Sequence, residues 1–285
     1  MKDVKSSSNI KPIIALIVPS INHPFFSNVA NQLTLLVAKN GYILSIFQSN
    51  ESYEQEVEIV DTIINQNFAG VTVSIAKSTT DSNHFRRLQD AGIPLVFFDR
   101  VCEDINAPKV LINNYEITYS ITEDLIKKGN KRIALIIGTN EINVFRERQQ
   151  GYLDALQKYG LAYQMPVIEN EFSVENGKEV FKKLWSSDKR PDAIISSSHQ
   201  LTLGVLMQTK LYDIKIPQKL ELISYVSHIS FQILQPQITI IDQPENEIAE
   251  FTFDLLQKQI TKQVIQGDEL IRMVNAKIHS NKIIL

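Results

Sequence analysis

The chain has 285 residues, of which 44% are hydrophobic and 21% charged, and its formal net charge is -3 at pH 7. This composition is typical of a soluble globular protein, and such a charge provides no basic surface for binding nucleic acid. One cysteine excludes an internal disulfide and fits a reducing cytoplasm, and no apolar run approaches the length of a membrane span. The start of the chain is polar and serine-rich, so we expect no secretory signal.

The first strand and helix indicate where a ligand would bind. Residues 13–18 are an uninterrupted apolar run, which predicts a strand buried on both faces of a parallel sheet. Pro24 suits the first position of the helix that follows. The turn between them has neither Gly-x-Gly-x-x-Gly nor Gly-Lys-Ser/Thr, so we expect no nucleotide cofactor. Ligands of parallel sheets bind beyond the carboxyl ends of the strands. The candidate site residues are therefore His23, Phe25 and Phe26, although aromatic residues at the start of a helix usually belong to the core.

Strand and helix patterns then alternate along the chain. Further strands are predicted at 42–48, 71–75, 94–98, 110–112, 133–137, 167–168, 193–196, 220–225, 238–241 and 271–278. Helices are predicted at 51–67, 82–91 with Asp81 as N-cap, 114–128, 144–159, 174–185, 199–211 and 245–259. This alternation predicts an α/β protein with parallel sheets and right-handed crossovers. Two runs, each long enough for one sheet, favour two lobes.

Residue patterns of catalytic and metal sites are missing from the sequence. The five histidines lack the spacing of metal ligands, and no serine stands in a Gly-x-Ser-x-Gly elbow. Cys102 is followed by Glu103 and Asp104, which raise rather than lower the pKa of a thiol. We therefore expect a protein that is not an enzyme and that has no metal and no cofactor.

Several motifs resemble the effector-binding core of the lactose-repressor/galactose-repressor (LacI/GalR) family. Residues 15–26 resemble the family's opening, Gly-Leu-Ile-Val-Pro-Asp-x-x-Asn-Pro-Phe-Phe. Residues 92–100 resemble Gly-Ile-Pro-Val-Val-x-x-Asp-Arg, and residues 148–152 resemble Arg-x-x-Gly-Tyr. Other matches in the family's order are Gly41-Tyr42, 68–71, 128–134 and 239–244. The resemblance covers roughly Pro12 to Ser280.

The resemblance implies a periplasmic-binding-protein-like fold of type I, with two Rossmann-like lobes and parallel sheets joined by crossover strands. It divides the chain into a linker stub (1–11), an N-terminal lobe (12–112 with 243–267) and a C-terminal lobe (113–242 with 268–285). The chain is expected to cross between the lobes near Asn113, Gln243 and Asp268. An effector binds in the cleft of such proteins, and closure of the lobes changes how paired helix-turn-helix headpieces hold DNA.

The resemblance also implies which residues line the cleft. Arg148 falls on the family's cleft arginine, which can bind ring hydroxyls or a carboxylate, and Phe172 falls on an aromatic residue that stacks on the effector. Asp99 and Gln243 fall on polar cleft positions. Without the family, Arg148 is an ordinary helix-surface charge, Asp99 pairs with its neighbour, and Phe172 is packing.

The sequence departs from the family at two cleft positions. Ser198-His199 replaces the family's Asn-Asp, and residues 224–226, Ser-Tyr-Val, replace Gly-x-Asp. Two carboxylates that commonly hold a sugar are therefore missing, so a plain hexose is not expected. His199 either replaces one hydrogen-bond partner, with a response to pH near neutrality, or only caps a helix.

The leading interpretation is the effector-binding, dimerising core of a cytoplasmic LacI-type regulator. It closes on a sugar-like effector, forms a homodimer, contacts no membrane, and reaches operator DNA only through a headpiece that we expect to be absent from this chain. By family analogy the subunit contact is the helix at 199–211, through Leu203, Leu206 and Leu211. The alternatives are a stand-alone or exported sugar-binding protein and a ligand-free dimerisation scaffold. If the protein is a scaffold, protein groups rather than the open cleft should contact the side chains of Phe25, Phe172 and Arg148.

Overall fold

The strands and helices alternate as predicted. A computed structural model describes residues 11–161, 167–169, 171–226 and 238–280; the linker stub, except for its last residue, lies outside them. The strands are β1 (Ile13–Val18), β2 (Ile43–Gln48), β3 (Gly70–Val73), β4 (Leu95–Phe98), β5 (Lys109–Ile112), β6 (Ile133–Ile137), β7 (Val167–Glu169), β8 (Ala193–Ser196), β9 (Glu221–Tyr225), β10 (Thr239–Asp242), β11 (Ile271–Val274) and β12 (Lys277–Ser280). The helices are α1 (Pro24–Lys39), α2 (Tyr53–Asn65), α3 (Asn83–Asp90), α4 (Asn114–Lys127), α5 (Asn143–Lys158), α6 (Val174–Trp185), α7 (His199–Leu211) and α8 (Glu245–Ile260).

The first lobe is built on a six-stranded sheet with the order β11-β5-β4-β3-β1-β2, and all its strand pairs are parallel. Helices α1 and α8 pack on one face, and α2 and α3 pack on the other. Because both faces are covered, β1 is almost entirely buried, as its continuous apolar sequence predicts. Pro24 is the first residue of α1. Gly41 follows the end of this helix with φ +84°, a conformation that favours glycine.

The second lobe has the strand order β12-β10-β9-β8-β6-β7. Its strands are parallel except for β12, which runs antiparallel to β10. Helices α4 and α5 cover one face and α6 and α7 cover the other. The two sheets confirm the predicted fold of two α/β lobes with mostly parallel strands.

The chain crosses between the sheets at three places, and the last of them differs from the prediction. The crossings at Asn113 and Gln243 follow β5 and β10. The third was expected at Asp268, but β11 pairs with β5 in the first sheet, so the chain crosses only at residues 275–276. The single strand predicted at 271–278 is therefore two strands in different sheets. Asn113 joins the crossings, because its side-chain Oδ1 accepts a hydrogen bond from the Ala276 backbone N–H at 2.8 Å.

Two local predictions are wrong. Asp81 is not the N-cap of α3: Ser82 holds that position, and Asp81 accepts a hydrogen bond from the Asn83 backbone N–H at 2.7 Å. Leu206 was expected on an outward face of α7, but it is buried in the second lobe's core. Helix α7 packs on α6 through a broad contact, and this turns Leu206 inward while Leu211 stays 71% exposed.

The family motif Arg-x-x-Gly-Tyr has a packing explanation in α5. A Cβ atom added at Gly151 would lie 2.3 Å from the Tyr115 carbonyl oxygen, so only glycine lets α5 approach α4 this closely. Tyr152 is buried, and its hydroxyl donates to the Ile133 carbonyl at 2.6 Å. These contacts fix α5 against α4 and the second sheet, and they thereby fix the position of Arg148.

Candidate functional site: the cleft between the lobes

The two lobes meet around a small cavity that we call the deep cavity, with a volume of about 30 Å³. The structure brings seven of the nine predicted site residues into its wall: His23, Phe25, Phe26, Asp99, Arg148, Phe172 and Gln243. The sequence did not single out the other wall residues, which are Arg100, Val144, Phe145 and Ser197. The turn after β1, the end of β4, the crossing after β10 and helix α5 all contribute to this wall, because parallel strands place their carboxyl ends at one edge of a sheet.

Ser198 and His199 lie next to the deep cavity but do not form its wall. Ser198 is buried at the N-cap position of α7, and its hydroxyl has no hydrogen-bond partner among the described residues. His199 is the first residue of α7 and is half-buried. Burial lowers the pKa of His199 below its ordinary value. Its imidazole is therefore mostly neutral at pH 7, and the expected response to pH near neutrality moves to lower pH.

Arg148 is only 2% exposed and is held by neutral groups. Its Nε donates to the Asn114 Oδ1 at 2.8 Å, and its Nη1 donates to the Ser197 carbonyl at 3.2 Å. The guanidinium Cζ lies 3.7 Å from the centre of the Tyr225 ring. The alternative prediction, that Arg148 is a solvated charge on the surface of a helix, is thus wrong. Arg148 is a buried part of the cleft wall.

Arg100 approaches the same cavity from the first lobe and has a carboxylate partner. Its Nη1 lies 3.0 and 2.9 Å from the two carboxylate oxygens of Glu51. The guanidinium Cζ lies 5.5 Å from the Phe26 ring centre and 5.9 Å from that of Phe145. Glu51 also accepts a hydrogen bond from the Lys77 backbone N–H at 2.7 Å, and its own φ is +61°. The surroundings therefore hold Glu51 in an unusual backbone conformation that places its carboxylate beside Arg100.

Polar atoms in the deep cavity's wall lack partners. Among the described residues, no group hydrogen-bonds to the Asp99 Oδ1, the Ser197 Oγ or the His23 Nδ1. Burial raises the pKa of Asp99 above its ordinary value. The pKa of His23 falls to about 3, because the side chain is buried and because Arg100, His199 and Arg148 are close. Unsatisfied buried polar atoms are uncommon in folded proteins, so three around one gap indicate a place for a ligand.

A larger opening of about 680 Å³, the outer cavity, lies beside the deep one and shares Arg100, Phe145 and Phe172 with it. Phe172 packs edge-to-face on Phe145 with the ring centres 5.1 Å apart. Residues of both lobes line the outer cavity, and Lys77 of the first lobe forms an ion pair with Glu171 of the second at 2.9 Å. Its other carboxylates are those of Glu51, Glu141 and Glu169.

Further contacts hold the lobes together at the deep cavity. The Asn143 Nδ2 donates to the Asp99 carbonyl at 3.0 Å, and its Oδ1 accepts from the Val101 backbone N–H at 3.2 Å. Arg146 of the second lobe also forms an ion pair with Glu103 of the first, outside the wall of the deep cavity. Asn143 therefore ties the start of α5 to the end of β4, and it positions the two lobes' walls relative to each other.

Several of the missed residues had a signal in the sequence. Arg100 follows Asp99 in the family motif, and Phe145 stands three residues before Arg148, on the same face of α5. Ser197 adjoins the predicted Ser198. Glu51 had no such signal, because it is 49 residues from Arg100 in the chain.

The described residues contain no group of three or more His, Cys, Asp or Glu side chains that could hold a metal ion. Burial, followed by the charges of Glu56 and Asp104, raises the pKa of Cys102 to about 12, which keeps this thiol protonated. In the part of the chain that the structure covers, no helix has the length and apolar character needed to span a membrane.

Comparison with known families identifies the chain. The family described as "Periplasmic binding proteins and sugar binding domain of LacI family" matches residues 11–282. The chain belongs to this family. The match extends across both lobes, which therefore form the effector-binding domain of a LacI-family regulator, and the resemblance seen in the motifs is confirmed.

Individual relatives agree with the family. The HTH-type transcriptional repressor CytR of Escherichia coli (strain K12) is 28% identical over 253 residues, which are 88% of this chain and 73% of the repressor. The transcription regulator CcpA of Lactococcus lactis superposes with a TM-score of 0.84 at 23% identity, and the match covers 95% of this chain and 98% of that one. The Cra transcriptional dual regulator of Pseudomonas putida, solved in complex with fructose 1-phosphate, gives a TM-score of 0.83 at 21% identity and covers 95% and 98%.

The sequence identities determine which conclusions each comparison supports. The two solved structures are less than 25% identical to this chain and establish its fold alone. The matched curated relatives are transcriptional regulators, so the prediction that this protein is not an enzyme is confirmed.

Proposed function

We propose that this domain binds a sugar-like effector in the cleft and that closure of the two lobes around it controls DNA binding by a headpiece. The observation that carries the proposal is the set of unpartnered polar atoms on His23, Asp99 and Ser197, which meet beside aromatic rings between the lobes. Aromatic faces suit the apolar faces of a sugar ring, and the polar atoms suit its hydroxyls. A related fold, that of Cra, was solved with fructose 1-phosphate, which supports this class of effector.

The origin of the cavity residues supports the proposed closure of the lobes. Asp99 and Arg100 belong to the first lobe, and Phe145, Arg148 and Phe172 belong to the second. A ligand that contacts both sets binds the closed arrangement more tightly and shifts the population towards it. Coupling between such sites is typically about 1–3 kcal/mol.

The domain acts, in this proposal, as a homodimer in the cytoplasm, where repressors such as CytR would meet operator DNA. The proposed subunit contact on α7 changes with the structure, because Leu206 belongs to the core. The exposed apolar residues at the end of this helix are Met207, Leu211 and Tyr212. They replace Leu206 as candidates, and sedimentation of the purified chain measures whether it is a dimer.

A second candidate function is the ligand-free dimerisation scaffold. The observations that favour it are the small deep cavity of about 30 Å³ and the contacts of Arg148 with Asn114, Ser197 and Tyr225. In a scaffold, these contacts replace the effector and the cleft stays closed.

A thermal-shift screen separates the two functions. The purified chain is tested with neutral sugars, sugar acids, sugar phosphates, nucleosides and nucleobases. An effector should raise the melting temperature by an amount that grows with the logarithm of its concentration above Kd. Phe172→Ala should lose the shift, since its ring borders both cavities. Phe251→Ala removes another half-buried phenylalanine, one that packs on Arg272 away from the cleft, and should keep it. A screen without any hit would favour the scaffold.

A further inference from the structure

Several side chains reach from one lobe to the other beside the two cavities. Three such contacts are the hydrogen bonds of Asn143 to the main chain of the first lobe, the ion pair of Lys77 with Glu171, and the ion pair of Arg146 with Glu103. Every atom in these contacts belongs to the chain itself. The contacts therefore hold the lobes together without requiring an effector, and their relative strengths decide which of them matters.

The contact of Asn143 is buried. Only 4% of this residue is exposed, and Asp99 and Val101 are each less than one-tenth exposed. The Nδ2 of Asn143 donates to the Asp99 carbonyl at 3.0 Å, and its Oδ1 accepts from the Val101 N–H at 3.2 Å. The same side-chain amide thus bonds to a backbone acceptor and a backbone donor on either side of Arg100. These two bonds fix both the position and the orientation of α5 against the first lobe.

The two ion pairs, in contrast, are exposed to solvent. The side chains of Lys77, Glu171, Arg146 and Glu103 are between 43% and 79% exposed. Exposed ion pairs contribute little net stability, because water and salt screen their charges. Separation of a buried donor from its acceptor is more unfavourable, because water does not replace the lost partner until the lobes are well apart. We therefore expect the Asn143 contact to dominate.

The turn that Asn143 contacts has an unusual backbone conformation. Asp99 has a φ of +59°, in the left-handed region, which is uncommon for a residue with a side chain. The first lobe supports this turn, because the Asp99 N–H donates to the Val110 carbonyl at 2.9 Å. The Ile75 N–H also donates to the Arg100 carbonyl at 3.2 Å. Such conformations persist where the surroundings hold them from several sides, and Asn143 supplies the support from the second lobe.

A local role as a helix cap does not explain these bonds. Asn143 is the first residue of α5, and the N-cap position belongs to Ile142, which has no capping side chain. The partners of the Asn143 side chain are 42 and 44 residues away in the chain, in the other lobe. The side chain therefore serves the contact between the lobes rather than the start of its own helix.

We propose that Asn143 is a latch: its two hydrogen bonds hold the lobes together independently of any effector and position Asp99 and Arg100 in the wall of the deep cavity. When the lobes part, both bonds break together and the turn loses the support of the second lobe. The chain thus has a closed arrangement of its own, and an effector exchanges only while the latch is open. This inference rests on the proposed function for the motion of the lobes, but it assumes nothing about the chemistry of the effector.

The distance between two spin labels, one on each lobe, measures whether the latch is closed. The labels are attached to cysteines in Glu58→Cys on α2 and Lys183→Cys on α6, two exposed positions. Cys102 is buried, and its pKa of about 12 keeps it unlabelled. Labelled chain is diluted with unlabelled chain, so that only distances within one chain are measured. Without an effector, we expect one short distance to predominate.

Asn143→Asp distinguishes a latch from a local role in α5. Aspartate keeps the size and the acceptor oxygen but loses the donor to the Asp99 carbonyl, and its negative charge suits the start of a helix. A residue that matters only for α5 would tolerate this change. If Asn143 is a latch, the ratio of open to closed chains should rise about tenfold, because a buried hydrogen bond is lost and a carboxylate faces a carbonyl. Asn143→Ala removes both bonds and should raise the ratio further.

Asn176→Asp is the matched control. Asn176 lies in the first turn of α6, and its Nδ2 also donates to a backbone carbonyl, that of Glu171 at 3.0 Å, but within one lobe. This substitution should leave the distance between the labels unchanged. Glu103→Gln and concentrated salt weaken the exposed ion pairs, and each should change the ratio of open to closed chains by less than about threefold.

Two results would overturn the inference. One is a distance that stays the same in Asn143→Asp and Asn143→Ala while circular dichroism shows both to be folded, and the other is Glu103→Gln opening the chain as much as Asn143→Ala. If neither Asn143 variant folds, hydrogen exchange in the unsubstituted chain provides the test, since a rapidly exchanging Val101 amide would refute the latch. An effector found for a chain that fails these tests would refute the latch alone. A blank effector screen with a working latch would refute the proposed function alone.

Discussion

Two arginines, one from each lobe, lie near the same phenylalanine ring, but only one of them forms an ion pair with a carboxylate. The guanidinium Cζ atoms of Arg100 and Arg148 both lie 5.9 Å from the centre of the Phe145 ring. Arg100 pairs with the carboxylate of Glu51, whereas Arg148 bonds only to neutral oxygens. The first lobe's wall thus holds its arginine in an ion pair, and the second lobe's wall holds its arginine by hydrogen bonds to neutral oxygens.

Gly151→Ala should have the largest effect, because it displaces the whole second wall. The new Cβ would lie 2.3 Å from the Tyr115 backbone oxygen, so α5 must move away from α4, which carries the Asn114 partner of Arg148. We expect a loss of about 3 kcal/mol in the free energy of unfolding, measured by urea denaturation. Gly267→Ala, where no atom lies within 4 Å, should change it by less than about 0.5 kcal/mol. Equal effects at the two glycines would contradict this account of the wall.

Glu51→Gln should leave Arg100 in the first lobe's wall without a carboxylate partner, as Arg148 is in the second lobe's wall. Arg100 is buried, with 6% of its side chain exposed, and would lose its counterion, so we expect a loss of about 2 kcal/mol in the free energy of unfolding. The control is Glu171→Gln, which breaks the exposed ion pair with Lys77 and should cost at most about 0.5 kcal/mol. The comparison between the two arginines fails if Glu51→Gln proves as harmless as its control.

The stability of the folded chain should depend on pH through His23, because this side chain lies near positive charges in both walls. Burial and the charges of Arg100, His199 and Arg148 lower the pKa of His23 to about 3 in the folded chain, against about 6.5 when unfolded. The unfolded chain therefore takes up a proton first, and stability is lost as the pH falls from about 6.5 towards 3. The contribution to the slope is at most about 1.4 kcal/mol per pH unit. Urea denaturation between pH 7.5 and 5 should show a shallower decline for His23→Gln, and identical slopes would show that His23 is not in this environment.

Much of the fold was accessible from the sequence because it depends on local patterns. Uninterrupted apolar runs such as residues 13–18 predict buried parallel strands, and the strand is found at Ile13–Val18. Helices α6 and α7 have the predicted bounds, and in α6 the Ser173 cap and the apolar face of the helix lie near one another in the chain. The strand predicted at 271–278 was wrong, since local pattern does not reveal that its two halves join different sheets.

For the site, the sequence indicates which residue types follow the strands, and the family motifs point to Asp99 after β4 and to Arg148 within α5. Only the tertiary structure decided how their charges are balanced. The partner of Arg100 is Glu51, 49 residues away, and the partners of Arg148 are neutral groups on α4 and after β8. Charge balance depends on distances of a few ångströms between segments that are remote in the chain, whereas periodicity records only which face of a segment is buried.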